Sequence, residues 1–306
     1  MTLATRQIAS TSPWPKWVAT RDQRILVSAK PITAEQKTRK LVEIHDLSVQ
    51  FGRQRVLRNI TLDVPRGQTL GLIGESGCGK TVLLKTIIGL VHPTRGQVLF
   101  DGVDLSHMSD KELTRQRIRF GFLFQQAALF DSMNVEQNVA FPLRQHSGKS
   151  HEEIRDIVLK RLAEVGLPET ALVKKPAELS GGMRKRVGLA RALALDPEIM
   201  LYDEPTTGLD PIMSDVINEL IIRTRERYTV TSIVVTHDMH TARKVADRVV
   251  MLYPLSRLEA DAPQVIYDGK PQDLDDCDDN RVSQFVKGEA GERLMEMREL
   301  AARKDN

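Results

Sequence analysis

Apolar residues arrive first in short runs cut by turn signals. Residues 41–47, 56–64 and 69–73 read as strands, separated by Phe51-Gly52 with its basic neighbours and by Pro65-Arg66-Gly67. A helical run, 82–90, comes next. Two further strands follow at 97–100 and 118–124, the first closed by the turn Asp101-Gly102. The connection after that is unusually apolar, with Leu129, Phe130, Met133, Val135, Val139, Phe141 and Leu143. It leads into an amphipathic helix with Ile154, Ile157, Val158, Leu162 and Val165 on one face. Residues 127–178 are therefore expected to form a helical insertion. From 179 onward helix and strand alternate. A helix at 182–194 precedes a buried strand at 199–202, and a helix at 212–227 precedes a β-branched strand at 230–236. Runs 248–252 and 264–267 read as closing strands around the polar stretch 253–263. This alternation predicts an α/β fold with a parallel core sheet.

Charge marks the expected boundaries. Residues 1–40 lack periodicity and carry eight basic side chains against Asp22 and Glu35, although the whole chain of 306 residues has a net charge of only +3. They are expected as a basic flexible tail, or as one that touches anionic lipid or a membrane partner through Trp14 and Trp17. The patterned remainder is mildly acidic, which argues against nucleic acid as a partner. An acidic cluster, Asp273, Asp275, Asp276, Asp278 and Asp279, opens an expected linker and charged tail over 271–306. No apolar run approaches the ~18 to 20 residues of a bilayer span, and the N-terminus has no continuous signal-peptide core. Work at a membrane would then need recruitment by a partner. Cys78 and Cys277 lie far apart in no metal-type spacing, which suits a reducing cytoplasm.

The chemistry concentrates in four places. Gly74-Glu75-Ser76-Gly77-Cys78-Gly79-Lys80-Thr81, followed by Val82, has phosphate-loop spacing between a strand and a helix. Its glycines allow backbone N–H groups to face phosphate oxygens, Lys80 is the expected β/γ-phosphate contact, and the Thr81 hydroxyl an Mg²⁺ ligand. Asp203-Glu204 ends a buried strand, where acids are costly unless engaged: Asp203 fits a metal-holding acid and Glu204 a base that polarises water. Ser180-Gly181-Gly182 caps a helix and bares a second anion cradle. One nucleotide does not need two cradles from one chain, so this one is expected to serve a second copy. His237 ends the next buried strand, at the edge where α/β sheets bind ligands, and reads as a γ-phosphate sensor. Gln125 and Gln126 end another apolar strand and face the same region. Phe51 is open to two readings, stacking on a purine or packing on its strand pair.

With these elements in this order, the chain resembles the ATP-binding subunits of ABC transporters over residues 41–270. GESGCGKT resembles Walker A, Gln125 the Q-loop glutamine and a metal contact, LSGGM at 179–183 the signature. IMLYDE at 199–204 resembles Walker B with the catalytic glutamate. Gly208-Leu209-Asp210 resembles the D-loop, His237 the switch histidine, and Phe51 the base-stacking aromatic. The resemblance implies a phosphate-loop NTPase fold with an antiparallel β subdomain. It also implies ATP and Mg²⁺ as cofactors, and a homodimer holding each ATP between one Walker A and the opposite signature. Integral-membrane permease subunits would grip the apolar segment 127–143. Met183 stands where most members have Gln. With Arg184-Lys185-Arg186, the run 123–143 and Gln284-Phe285-Val286, it resembles the ATPases of Mla/Mce-type lipid transporters. That subfamily implies a periplasmic Mce-domain lipid-binding partner and a site at the cytoplasmic face of the bacterial inner membrane. The alternatives are an ATPase of a small-solute importer, for example of amino acids, and a soluble ABC ATPase. The last would normally carry tandem units or a long coiled coil, and no repeat is visible here.

Overall fold

β1 (Lys40–Phe51) and β2 (Gln54–Pro65) pair antiparallel, with Val42 opposite Val64 and Ile44 opposite Leu62, so one apolar face is built by alternation. The computed structural model to which they belong describes residues 39–290. The expected basic tail with Trp14 and Trp17, and the charged segment after residue 290, lie outside the described residues. β4 (Arg95–Phe100) pairs with β1, and β5 (Val103–Asp104) completes a four-stranded sheet in the order β2-β1-β4-β5. The β4–β5 turn is Asp101-Gly102, both at positive φ, as a two-residue hairpin requires.

A second sheet has the order β10-β9-β3-β8-β7-β6. Its members are β3 (Thr69–Ile73), β6 (Phe120–Leu123), β7 (Ile199–Asp203), β8 (Thr231–Val235), β9 (Arg248–Leu252) and β10 (Val265–Gly269). Every pair is parallel except β9–β10. β3, β7 and β8 are buried at all five positions, because helices cover both faces of this sheet and leave no solvent side to demand alternation. Four expected site segments therefore leave one edge of the sheet, following the carboxyl ends of the neighbouring strands β3, β8, β7 and β6.

The helices begin close to where the pattern places them. α1 (Lys80–Ile87) follows β3, and α2 (Asp110–Arg117) precedes β6. α3 (Val135–His146) and α4 (His151–Glu164) start with capping boxes, Asn134 with Gln137 and Ser150 with Glu153. Both pack on α5 (Gly181–Ala192), so the helical lobe includes the helix after the expected insertion. Val135, Val139 and Leu143, which look exposed in sequence, fill that lobe, whereas Phe130 stays 41% exposed. α6 (Pro211–Tyr228) and α7 (Met239–Val245) complete the α/β alternation.

The segment read as an acidic linker and tail behaves differently up to residue 290. Leu274 and Val282 are fully buried against Ile73, Val249 and Met251, and α8 (Asn280–Lys287) packs on the core. Its acids have local work. Asp279 caps α8 through the Arg281 N–H, and Asp275 pairs with Arg243 at 2.7 Å. A high density of acids hides two core positions from a composition argument.

Candidate nucleotide site

Tight packing and positive φ explain the glycines of the loop between β3 and α1. A Cβ on Gly74 (φ 138°) would stand 2.2 Å from the Leu252 carbonyl oxygen, and one on Gly79 (φ 103°) 2.7 Å from a Leu57 methyl. Gly79 caps α1 without a side-chain bond, and the first turn holds no acid, which leaves backbone N–H groups for an anion. Lys80 is only 7% exposed, and its ammonium donates to the carbonyls of Gly74 (2.7 Å) and Glu75 (2.9 Å) across the loop. Two further contacts hold the loop from outside. Arg257 pairs with Glu75 at 2.5 Å, and buried Gln264 donates to the Cys78 carbonyl at 3.0 Å while accepting from the Arg58 N–H.

A cavity of about 560 Å³ opens over this loop. Glu75, Ser76, Gly77, Gly79, Lys80, Thr81 and Val82 form one wall, and Gln125, Glu204 and His237 face them. The Thr81 hydroxyl donates to Asp203 Oδ1 at 2.9 Å, joining the start of α1 to the end of β7. Burial pushes the Asp203 carboxyl above its ordinary range; the Thr81 hydrogen bond opposes that, and neighbouring Glu204 adds to it. Glu204 sits at φ 49°, rare for a side-chain-bearing residue. Its carboxylate accepts from the Thr207 hydroxyl at 3.0 Å, and the same oxygen lies 2.8 Å from His237 Nδ1. A buried ammonium, a buried acid bonded to a hydroxyl, and a carboxylate beside an imidazole thus meet at one opening.

Other expected site residues lie outside that lining. Phe51 ends β1 at the hairpin, half exposed. Cys78 is buried behind the loop. Ser180 caps α5 by accepting from the Met183 N–H at 3.3 Å, with Gly181 and Gly182 in its first turn. Asp210 caps α6, accepting from the Met213 N–H at 3.0 Å. None of Ser180, Gly181, Gly182 and Asp210 lines the loop's own cavity.

Several neighbours of the site escaped the sequence reading. Val56 and Phe285 line the cavity, the latter from α8. Gln264 reads in sequence as the first residue of a closing strand. Lys185 was one of three consecutive basic residues, and the fold sends each a different way. Arg184 donates to the Leu179 carbonyl and Arg186 to that of Gly166, whereas Lys185, 5% exposed, donates to the Glu204 carbonyl at 3.0 Å. Burial brings the Lys185 ammonium down to about 8. A polar side chain inside an otherwise apolar helix stripe was the available signal for Lys185.

Comparison with known proteins assigns the class. The ABC transporter family pattern matches residues 57–207. The intermembrane phospholipid transport system ATP-binding protein MlaF of Haemophilus influenzae is 43% identical over 250 residues, 82% of this chain and 91% of that protein. The chain belongs to the ABC transporter family of ATP-binding cassette ATPases. It is also 49% identical over 212 residues to a protein of Mycobacterium leprae named "Probable ribonucleotide transport ATP-binding protein mkl"; that match covers 69% of this chain but spans only 61% of the relative's length. Among solved structures, a dimeric ATP-binding cassette bound to ADP and Pi in a post-hydrolysis state aligns with a TM-score of 0.67 at 32% identity, covering 75% of this chain and 98% of that one.

Proposed function

We propose that this chain hydrolyses ATP as one half of a homodimer that drives a phospholipid transporter of the Mla/Mce type. The observation that carries the dimer is the division of the two anion cradles. The loop at 74–81 borders a cavity with Glu204 and His237, while the cradle at Ser180–Gly182 stands apart from it. In this reading Lys80 and the α1 N-terminus bind the phosphates, Phe51 meets the base, and Asp210 and Ser180–Gly182 serve the opposite subunit's ATP. Glu204 takes a proton from the attacking water, and His237, beside it, holds the carboxylate toward the γ-phosphate.

The residues at this edge fit Mg²⁺. A buried carboxylate bonded to a hydroxyl offers hard oxygen donors at the cavity wall, with Gln125 facing them. Thr81, Asp203 and Gln125 supply only part of an octahedral shell, and phosphate oxygens and water would complete it. Bound there by Thr81, Asp203 and Gln125, the ion would neutralise charge on the β- and γ-phosphates.

No helix among the described residues is long and apolar enough to cross a membrane. The reading further includes integral-membrane permease partners, met by this chain at the cytoplasmic face of the inner membrane. The segment before α3 supports a docking surface. Asn138 fastens it by accepting from the Phe130 N–H and donating to the carbonyls of Phe130, Met133 and Asn134, leaving Phe130 presented outward. Phospholipid as cargo is supported by the MlaF relatives, 91% of whose length this chain covers; the Mce-domain partner is part of the reading through the resemblance of Met183 and the run 123–143 alone. The mycobacterial relatives favour a second cargo, a ribonucleotide.

Two experiments test the reading. Glu204→Gln should keep Mg-ATP binding and lose about 10²- to 10⁴-fold in turnover; unimpaired hydrolysis removes Glu204 from its role. Purification with membrane partners, followed by mass spectrometry of the bound cargo, should yield phospholipid. Recovery of an amino acid, or of a nucleotide other than ATP and ADP, in its place would reject the lipid assignment.

A further inference from the structure

Glu204 is held at both ends of its backbone. Its N–H donates to the Val235 carbonyl of β8 at 2.9 Å, and its carbonyl accepts from the Lys185 ammonium at 3.0 Å and from the Thr207 N–H at 3.3 Å. Between these bonds the residue adopts φ 49°, a left-handed conformation that a glutamate keeps only when its surroundings impose it. The direction in which its carboxylate leaves the chain, toward His237 and the cavity, follows from that conformation. Lys185 is the one contact of this set that comes from the helical lobe.

Lys185 lies on the helix that Ser180 caps, five residues and about 7 Å of helix rise further on. α5 is continuous between them, with Gly182 and Lys185 both buried. A displacement of the Ser180 end therefore reaches the Glu204 carbonyl through one rigid element, without a loop between to absorb it.

We propose that Lys185 is a positioning residue that fixes the Glu204 peptide, and so couples the cradle offered to one nucleotide to the base that serves the other. This inference rests on the reading of Glu204 as the hydrolytic base. When α5 is seated, the Lys185 hydrogen bond holds Glu204 in its left-handed conformation with the carboxylate at the cavity. When the Ser180 end is pulled away, that bond lengthens and the carbonyl keeps only the longer bond from the Thr207 N–H, so the peptide is held less firmly. Occupation of the cradle at one end of α5 thereby raises hydrolysis at the site that Glu204 serves, without being an absolute requirement for it.

The test compares full-length chains carrying Lys185→Met, Lys185→Arg, Glu204→Gln and the Lys185→Met/Glu204→Gln pair, with Mg-ATP as the ligand. Lys185→Met keeps the unbranched stem, one atom shorter, and removes the donor. It should lower kcat by about 10- to 100-fold, the scale of a misplaced catalytic group, with ATP affinity and Tm near wild type. Lys185→Arg, still a donor, should regain most of the rate. On the Glu204→Gln background, Lys185→Met should cause no further loss, because the group it positions is gone. Wild-type kcat in Lys185→Met overturns the proposal, as does an equal loss in Lys185→Arg or an additive loss in the double variant. Should Lys185→Met not fold, Lys185→Leu serves in its place: without a donor, kcat should fall at unchanged ATP affinity, and wild-type kcat there overturns the proposal too. If Glu204→Gln itself turns over normally, the reading of the base fails first, and that outcome is distinct from the others.

Discussion

At the scale of single residues, the site is built by side chains whose environments differ sharply over a few ångströms. Glu204 tolerates a conformation worth about 1–3 kcal/mol of strain because β8, α5 and Thr207 each bind it. Cys78 sits in the same loop as Lys80, a position that by sequence invites thiol modification. The fold argues otherwise. The thiol is 1% exposed, and burial raises it above the ordinary cysteine range despite the pull of Lys80. Since the thiolate is the reactive form, Cys78 should label far more slowly than half-buried Cys277 at neutral pH. Peptide mapping after limited alkylation checks this, and labelling of Cys78 first would contradict it. Gln264 shows the same dependence on context: it reads as strand punctuation but bonds the backbones of β2 and the phosphate loop.

At the scale of elements, the two sheets are joined by a bridge of four charged residues, to which Arg39 adds a pair with Asp101 at 3.1 Å. Arg66, after β2, reaches Asp101 in the β4–β5 turn and Glu198 before β7; Arg119, at the start of β6, reaches the same two acids. The Arg119 hydrogen bond chiefly holds Glu198 below its usual value, although burial works against it. At Asp101 burial raises and the bonds from Arg66 and Arg119 lower, and the bonds win. Both acids therefore favour the folded state above their unfolded values of about 4, and that contribution is lost as pH falls through their lower folded values. Thermal stability should drop on acidification below about pH 4. Glu198→Gln should lower stability at neutral pH and make that drop shallower. Scanning calorimetry from pH 3 to 7 reads both effects, and an unchanged slope in the variant would remove Glu198 from the network's pH dependence. The hairpin strands, capped helices and β-branched buried strands were legible beforehand because each depends on neighbours within a few residues. This network was not, because its four members are scattered from Arg66 to Glu198.

At the scale of the whole molecule, the two anion cradles belong to different lobes. One lies at the edge of the parallel sheet, the other at the head of α5 in the helical lobe. If each ATP is shared between copies, Lys80→Ala and Ser180→Arg should each lose hydrolysis alone. Mixed together, they should regain part of it, because a mixed dimer carries one intact site. Absence of any rescue in a mixture shown to contain mixed dimers would argue that each chain uses its own cradle.

The linear order of residues determined the phosphate loop, the acid pair at the end of β7, the cap at Ser180 and the α/β alternation. Each is a local pattern: turn chemistry, periodicity or capping. Tertiary structure decided which of them share an opening. It brought Thr81 to Asp203 and His237 to Glu204, and it left Ser180 and Asp210 elsewhere. It also turned Leu274 and Val282 inward from an acidic stretch and aimed one of three adjacent basic residues at the Glu204 carbonyl. Those outcomes depend on how strands are ordered in the sheet and on which helix covers them. Contacts between residues far apart in the chain govern that order, and no window of sequence contains them.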